Sequence, residues 1–158
     1  MSDKITTCLW FDTEGEEAAE FYCKLIPNSR LTGVERYGEA GPRPAGMVMT
    51  VAFELDGRPY IALNGGSDYR FNEAVSFQVS CEDQEEVDRY WLALTADGGQ
   101  EGPCGWCKDR WGLSWQIVPK ALPRLLGDPD QDRAQRAMKA MLDMGKLDVA
   151  ALQTAADG

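Results

Sequence analysis

Histidine is missing altogether from the 158-residue sequence. The side chain that most often moves protons near neutral pH, and most often ligates metals, is therefore unavailable. Ser-His-Asp and Cys-His catalysis are excluded outright. Any metal site would have to be built from Asp, Glu and Cys. No run of eighteen apolar residues exists either, so no membrane partnership through a spanning helix is expected. The first residues, MSDKITTCLWFD, lack the charged-then-apolar order of a secretory signal, which predicts a cytoplasmic protein. Basic residues are few, 16 Lys and Arg against 26 Asp and Glu, for a formal net charge of −10. A polyanion would be repelled, so no nucleic-acid partner is expected, and the acidic excess reads as solubility.

Cysteine is present, but in odd number. Five Cys without a signal peptide predict reduced thiols rather than a disulfide framework. Cys8, Cys23 and Cys81 lie in apolar segments and are expected to pack as small hydrophobes.

One pattern is written twice. In EEAAEFYCKL, from Glu16, the residues Ala18, Phe21, Tyr22 and Leu25 share one helix face. In EEVDRYWLAL, from Glu85, Val87, Tyr90, Trp91 and Leu94 do the same. Thr13 with Glu16, and Asp83 with Glu86, are the capping signals. Each helix follows a strand-like run, ITTCLWF from Ile5 and VSFQVS from Val75. Each is followed by a hairpin. MVMTVAFEL turns at Asp56-Gly57 into RPYIAL, and GWCKD turns near Arg110 to Gly112 into LSWQIVP. A further strand, GVERYG, precedes the first hairpin. The period is near 69 residues, too long for a solenoid and with too few copies. The reading is α+β: two tandem modules, about 1–68 and 69–120, forming one domain, then a helical C-terminal extension over 121–158. In that extension RAQRAMKAMLDM and LDVAALQTAA are helical around Gly145, the second capped by Asp148. Met138, Met141 and Met144 form a packing stripe.

PCGWCK, from Pro103, has the spacing of a dithiol redox centre. Such a centre needs its first Cys at the start of a helix, whose amides lower the thiol pKa. The string that follows, KDRWGLSWQIVP, turns at Gly112 and then alternates as a strand. A CxxC redox protein is thus the weakest of the available readings, and Cys104 and Cys107 have no second pair or His with which to bind zinc.

ALNGG, FNEAVSFQVSCEDQEEVDRYW, CGW and KDRWGLSWQIVP resemble the PhnB-like branch of the vicinal oxygen chelate superfamily, the glyoxalase/bleomycin-resistance/dioxygenase fold. The resemblance covers nearly the whole chain. It implies paired βαβββ modules, a curved mixed sheet, a cavity between modules, and a homodimer. In such sequences the position of Cys107 usually holds an aliphatic residue. The resemblance also implies a divalent metal on four His or Glu positions, which fall near Thr7, Ala62, Ser76 and Gln116. None is His, Glu or Asp, and neutral oxygens bind divalent ions poorly without carboxylate help. No metal is therefore expected. The branch is often labelled demethylubiquinone methyltransferase, which would imply a methyl donor such as S-adenosylmethionine. Such a donor usually sits on a Gly-rich loop between strand and helix. Gly98-Gly99 follows a helix and Gly65-Gly66 precedes none, so no cofactor is expected.

The candidate ligand-binding residues are Trp10, Asn64, Phe71, Ser76, Gln78, Trp106, Trp115 and Gln116, with Asn72 beside Phe71 at a rim. Aromatic walls with neutral amides suit a flat, partly apolar small molecule. Core packing explains each Trp slightly better than a site role does, whereas Gln78 and Gln116 in mid-strand must find partners or face a wet cavity. Lys108 and Asp109 read as surface turn residues. The expected function is metal-free small-molecule binding. The alternative is a lyase, isomerase or dioxygenase acting on a small carbonyl or aromatic compound.

Overall fold

A computed structural model describes residues 4–158. Contacts divide the chain into two units, Met1–Arg70 and Phe71–Gly158. The first contains β1 (Thr7–Phe11), α1 (Gly15–Leu25), β2 (Arg30–Arg36), β3 (Val48–Leu55) and β4 (Arg58–Asn64). The second contains β5 (Ser76–Cys81), α2 (Gln84–Thr95), β6 (Gln100–Glu101), β7 (Trp106–Lys108) and β8 (Ser114–Pro119). After these come α3 (Ala121–Leu126), α4 (Gln131–Leu142) and α5 (Val149–Asp157). The sheets have the same order, β1-β4-β3-β2 and β5-β8-β7-β6. In each, the leading strand pairs parallel and the rest pair antiparallel. The duplication and the glyoxalase-like α+β architecture read from the sequence are therefore present.

In the first unit the register puts Leu9, Phe11, Val51, Phe53, Leu55, Ala62 and Asn64 on one face. All of them are buried, and α1 lays Ala18, Ala19 and Tyr22 into this layer. Cys8, Trp10, Ile61, Leu63, Thr50 and Ala52 point the other way, as alternation requires. The β3–β4 hairpin turns on Asp56 and Gly57, with φ of 48° and 74°. That is the left-handed pair a two-residue turn needs.

The start of α1 differs from the sequence reading. Its N-cap is Glu14, which makes no side-chain cap bond, so the Thr13–Glu16 box does not form. Asn64, from the end of β4, supplies the acceptor instead. Its Oδ1 takes the Gly15 amide at 2.8 Å, and its Nδ2 donates to the Val48 carbonyl at 3.1 Å. Any Cβ at position 15 would come within 2.7 Å of that oxygen, so glycine is required by the approach. By contrast α2 is capped as read. Asp83 accepts from Glu86 N at 3.0 Å, and the Glu86 carboxylate accepts from Glu82 N at 2.6 Å.

In the second unit Phe77, Val79, Cys81, Cys107, Trp115 and Ile117 face α2, which buries Val87, Tyr90, Trp91 and Leu94 against them. The C-terminal helices form a satellite core of Leu122, Leu125, Ala137, Leu147, Leu152 and Ala156, against which Val118, Met141 and Met144 pack. Asp148 caps α5 through Ala151 N at 2.8 Å, as read. Short α3 and two-residue β6 were not legible. Cys8 is exposed, contrary to its apolar-looking context.

Replacing Asn64 with Ala removes one buried and one part-buried hydrogen bond and strands the Gly15 amide. We expect this to cost about 2–4 kcal/mol, read as a lowered midpoint in urea denaturation. Asn64→Asp, which keeps the acceptor at a helix N-terminus, should lose less.

Candidate functional site

The face of the second sheet opposite α2 carries the candidate site. Period-two alternation along β5, β7 and β8 brings Ser76, Gln78, Trp106, Lys108, Ser114 and Gln116 to this side. Ser76 pairs with Ser114, Gln78 with Gln116, and Gln116 in turn with Trp106. Gln116 Nε2 donates to Ser76 Oγ at 2.9 Å. Gln78 is exposed, and Ser76, Trp106 and Gln116 are half-buried. Four of the eight sequence candidates are thus side by side on one surface.

The other four are placed differently. Trp115 points to α2, is buried, and donates its indole Nε1 to Asp109 Oδ2 at 2.9 Å; it is core, because it alternates with Gln116. Asn64 belongs to the α1 side of the first sheet and is committed to α1 and Val48, as above. Trp10 stands on the opposite face of that sheet. Its Nε1 donates to the Gly66 carbonyl at 2.8 Å, and its ring meets Tyr69 edge-on at 4.9 Å. Phe71 is half-buried at the start of the second unit, where Asn72 Oδ1 accepts from Ala74 N at 2.9 Å.

Asp109 is not the surface residue its sequence context predicts. It is 2% exposed, and it organises the β7–β8 turn. Its Oδ1 accepts from Trp111 N and Leu113 N at 3.0 and 3.1 Å, while Oδ2 takes Trp115. A buried carboxylate accepting several N–H groups is held in place by charge-assisted bonds. The signal for it was the spacing Asp109-x-Trp-Gly, a side-chain turn acceptor before a glycine. Lys108, its neighbour, pairs with Glu73 and holds that carboxyl below the usual carboxylate range.

The donor set does not fit a divalent cation. Thr7 and Ala62, placed by the family spacing, point to the α1 side, and the strand neighbours that point away from α1 are Cys8, Ile61 and Leu63. In the second unit the corresponding positions hold Ser76 and Gln116. Among the described residues no three His, Cys, Asp or Glu side chains gather. No metal-assisted step is derived from such a set. A methyl-donor loop does not fit either. Gly65-Gly66 leads from β4 to a turn and not to a helix, and a Cβ at Gly65 would collide with the Trp10 ring. That glycine serves indole packing.

Cys104 lies in a turn at φ 58°, ahead of a strand, and no helix begins there. Cys107 points to α2, and burial, aided by the Asp109 and Glu101 carboxylates, pushes its thiol up to about 12. A thiol so protonated is no nucleophile near neutral pH. The redox reading finds no support in this geometry.

Comparison with known proteins gives the same fold. A family model described as 3-demethylubiquinone-9 3-methyltransferase matches residues 3–118. The PhnB protein from Bacillus cereus is 32% identical, with a TM-score of 0.66, over 74% of this chain and 99% of that one. A Pseudomonas aeruginosa protein aligns at 20% identity and TM-score 0.60, over 75% and 98%. An Arabidopsis thaliana protein aligns at 16% and 0.50, over 75% and 99%. The last two show the fold alone. No curated protein matches the chain. No helix among the described residues is long and apolar enough to cross a membrane.

Burial raises Cys81 as well as Cys107 to about 12, from an ordinary 9.0. Between those values the unfolded chain releases thiol protons that the folded chain keeps, so stability must fall with rising pH. The contribution is fully present below 9.0. Urea midpoints measured at rising alkaline pH should decline, and Cys107→Val should decline less steeply.

Proposed function

The chain belongs to the family described as 3-demethylubiquinone-9 3-methyltransferase, the PhnB-like branch of the vicinal oxygen chelate superfamily, and from that premise we propose that it binds a small molecule without a metal. The observation that carries the reading is the second sheet's face opposite α2. Ser76, Gln78, Trp106 and Gln116 stand together there, offering hydroxyl, amide and indole groups. Such a lining orients a flat, partly apolar molecule by stacking and a few hydrogen bonds. It supplies no group of the kind that titrates near neutral pH and no chelating cluster. The five free thiols suit a reducing, cytoplasmic setting.

The test pairs metal analysis with binding. Purified protein should contain only substoichiometric zinc, nickel and iron. Its tryptophan fluorescence should titrate saturably with simple aromatic carbonyl compounds such as benzaldehyde derivatives. Gln116→Ala should weaken that binding about three- to tenfold, the worth of one hydrogen bond. A full equivalent of transition metal per chain, or affinity untouched by Gln116→Ala, would reject the reading.

A further inference from the structure

Ser114 has no role in the fold that its hydroxyl explains. It is 1% exposed, and its Oγ is the one buried side-chain polar atom among the described residues that lacks a hydrogen-bond partner. Leaving a hydroxyl so buried and unpaired is unfavourable. Alanine would avoid this, since the strand pairing of β8 with β5 and β7 uses only the Ser114 backbone.

The same residue lines a cleft of ≈ 240 Å3 at the β6–β7–β8 edge, within the second unit. Trp106, Lys108 and Ser114 share its sheet face, Gln100 pairs in register with Lys108, and Glu73 and Pro103 complete the wall. The charges are already matched, because Lys108 and Glu73 form an ion pair. Glu101 also lines the cleft, but its carboxylate is engaged, accepting from Trp91 Nε1 at 2.9 Å. An indole and a neutral amide remain open to a ligand, and the Ser114 hydroxyl, buried in the same wall, is unpaired. That set selects a neutral polar group on an aromatic ring, not an anion.

The wall is also held rigid. Trp106 N donates to Pro103 O at 3.0 Å, and Gly102 N to Trp106 O at 2.9 Å. The next two amides, Cys104 N and Gly105 N, donate to Met144 O and Gly145 O, each at 2.8 Å. These acceptors lie in the C-terminal extension, beyond the residues the family model matches. A segment outside the family pattern thus fixes the rim of the cleft, which is the preorganisation a binding site needs.

We propose that the cleft beside Trp106 is a subsite for a neutral, hydroxyl-bearing aromatic ring, with Ser114 Oγ as the hydrogen-bond partner of that hydroxyl. This rests on the small-molecule reading above, and adds to it a position, a ligand class and a residue. Two fluorinated probes of near-equal shape, 3-fluorophenol and 3-fluorotoluene, test it by 19F NMR line broadening on the full chain. The phenol should bind about three- to tenfold more tightly than the toluene. Ser114→Ala should abolish that preference, keep toluene binding, and unfold at the same or a higher temperature than the parent. Equal binding of both probes to the parent, or a preference that survives in Ser114→Ala, overturns the subsite. So does a lower unfolding temperature for the variant, which would mean the hydroxyl has a structural partner. If benzaldehydes still titrate in a Gln116-dependent way when the subsite fails, the broader reading stands; if neither class of compound binds, both fall.

Discussion

Each unit has four strands and a single helix in its βαβββ module, and that shortage of helices governs the molecule. One helix covers one face of a four-stranded sheet, and the second face is left for other uses. Because side chains alternate with period two, the same strand must write core on one side and the opposite face on the other. On β8 the order Ser114, Trp115, Gln116, Ile117 alternates between the two. Trp115 and Ile117 seal against α2, while Ser114 and Gln116 face away. A slip of one residue would bury the amide and expose the indole, so the register itself separates the core from the candidate face. Asp109 fixes that register. By gripping Trp111, Leu113 and Trp115 from one carboxylate, it sets where β8 begins and which side of it points to α2.

The two copies of the fold were legible because their signals are local. A helix face every three to four residues, an Asp-Gly turn and alternating strands survive in the sequence whatever the tertiary packing does. The second copy's face was also legible, since Ser76, Gln78 and Gln116 are polar in otherwise apolar strands. Asn64 was not, although it looks the same on paper. Its amide answers a demand made 49 residues earlier, by a helix whose own cap position holds a glutamate that makes no side-chain cap bond. Tryptophans were equally ambiguous. Trp106 and Trp115 are both large, apolar and in strands, and only the pairing of Trp106 with Gln116 sorts them onto opposite sides. Short elements failed for a simpler reason. β6 has two residues and α3 has six, with Pro123 inside it, so neither is long enough to show a period.

The C-terminal extension is more than an appendage to the second sheet. Val118, which shares the face of Gln116 and Ser114, packs into the core that α3, α4 and α5 enclose. Gln84, at the start of α2, reaches the same segment twice, donating to Leu147 O at 3.0 Å and accepting from Val149 N at 2.8 Å. Arg133 joins Asp128 to Asp157, which ties the two ends of the extension together. The methionine stripe read from the sequence belongs to this packing, with Met141 and Met144 against the satellite core. The extension therefore packs against the Val118 end of the face and also braces the chain next to Trp106.

That division lets a strongly acidic chain present a nearly neutral candidate face. The excess of 26 acidic over 16 basic residues lies mostly in caps, turns and exposed helix faces. Where acids do approach the candidate face they are matched or engaged, Glu73 by Lys108 and Glu101 by the indole of Trp91. With no histidine in the chain, that face contains no group of the type that changes charge between about pH 5 and 8. Selection there must rest on shape, stacking and neutral hydrogen bonds. On the proposed reading, those forces would hold a molecule in one orientation without transferring a proton to or from it.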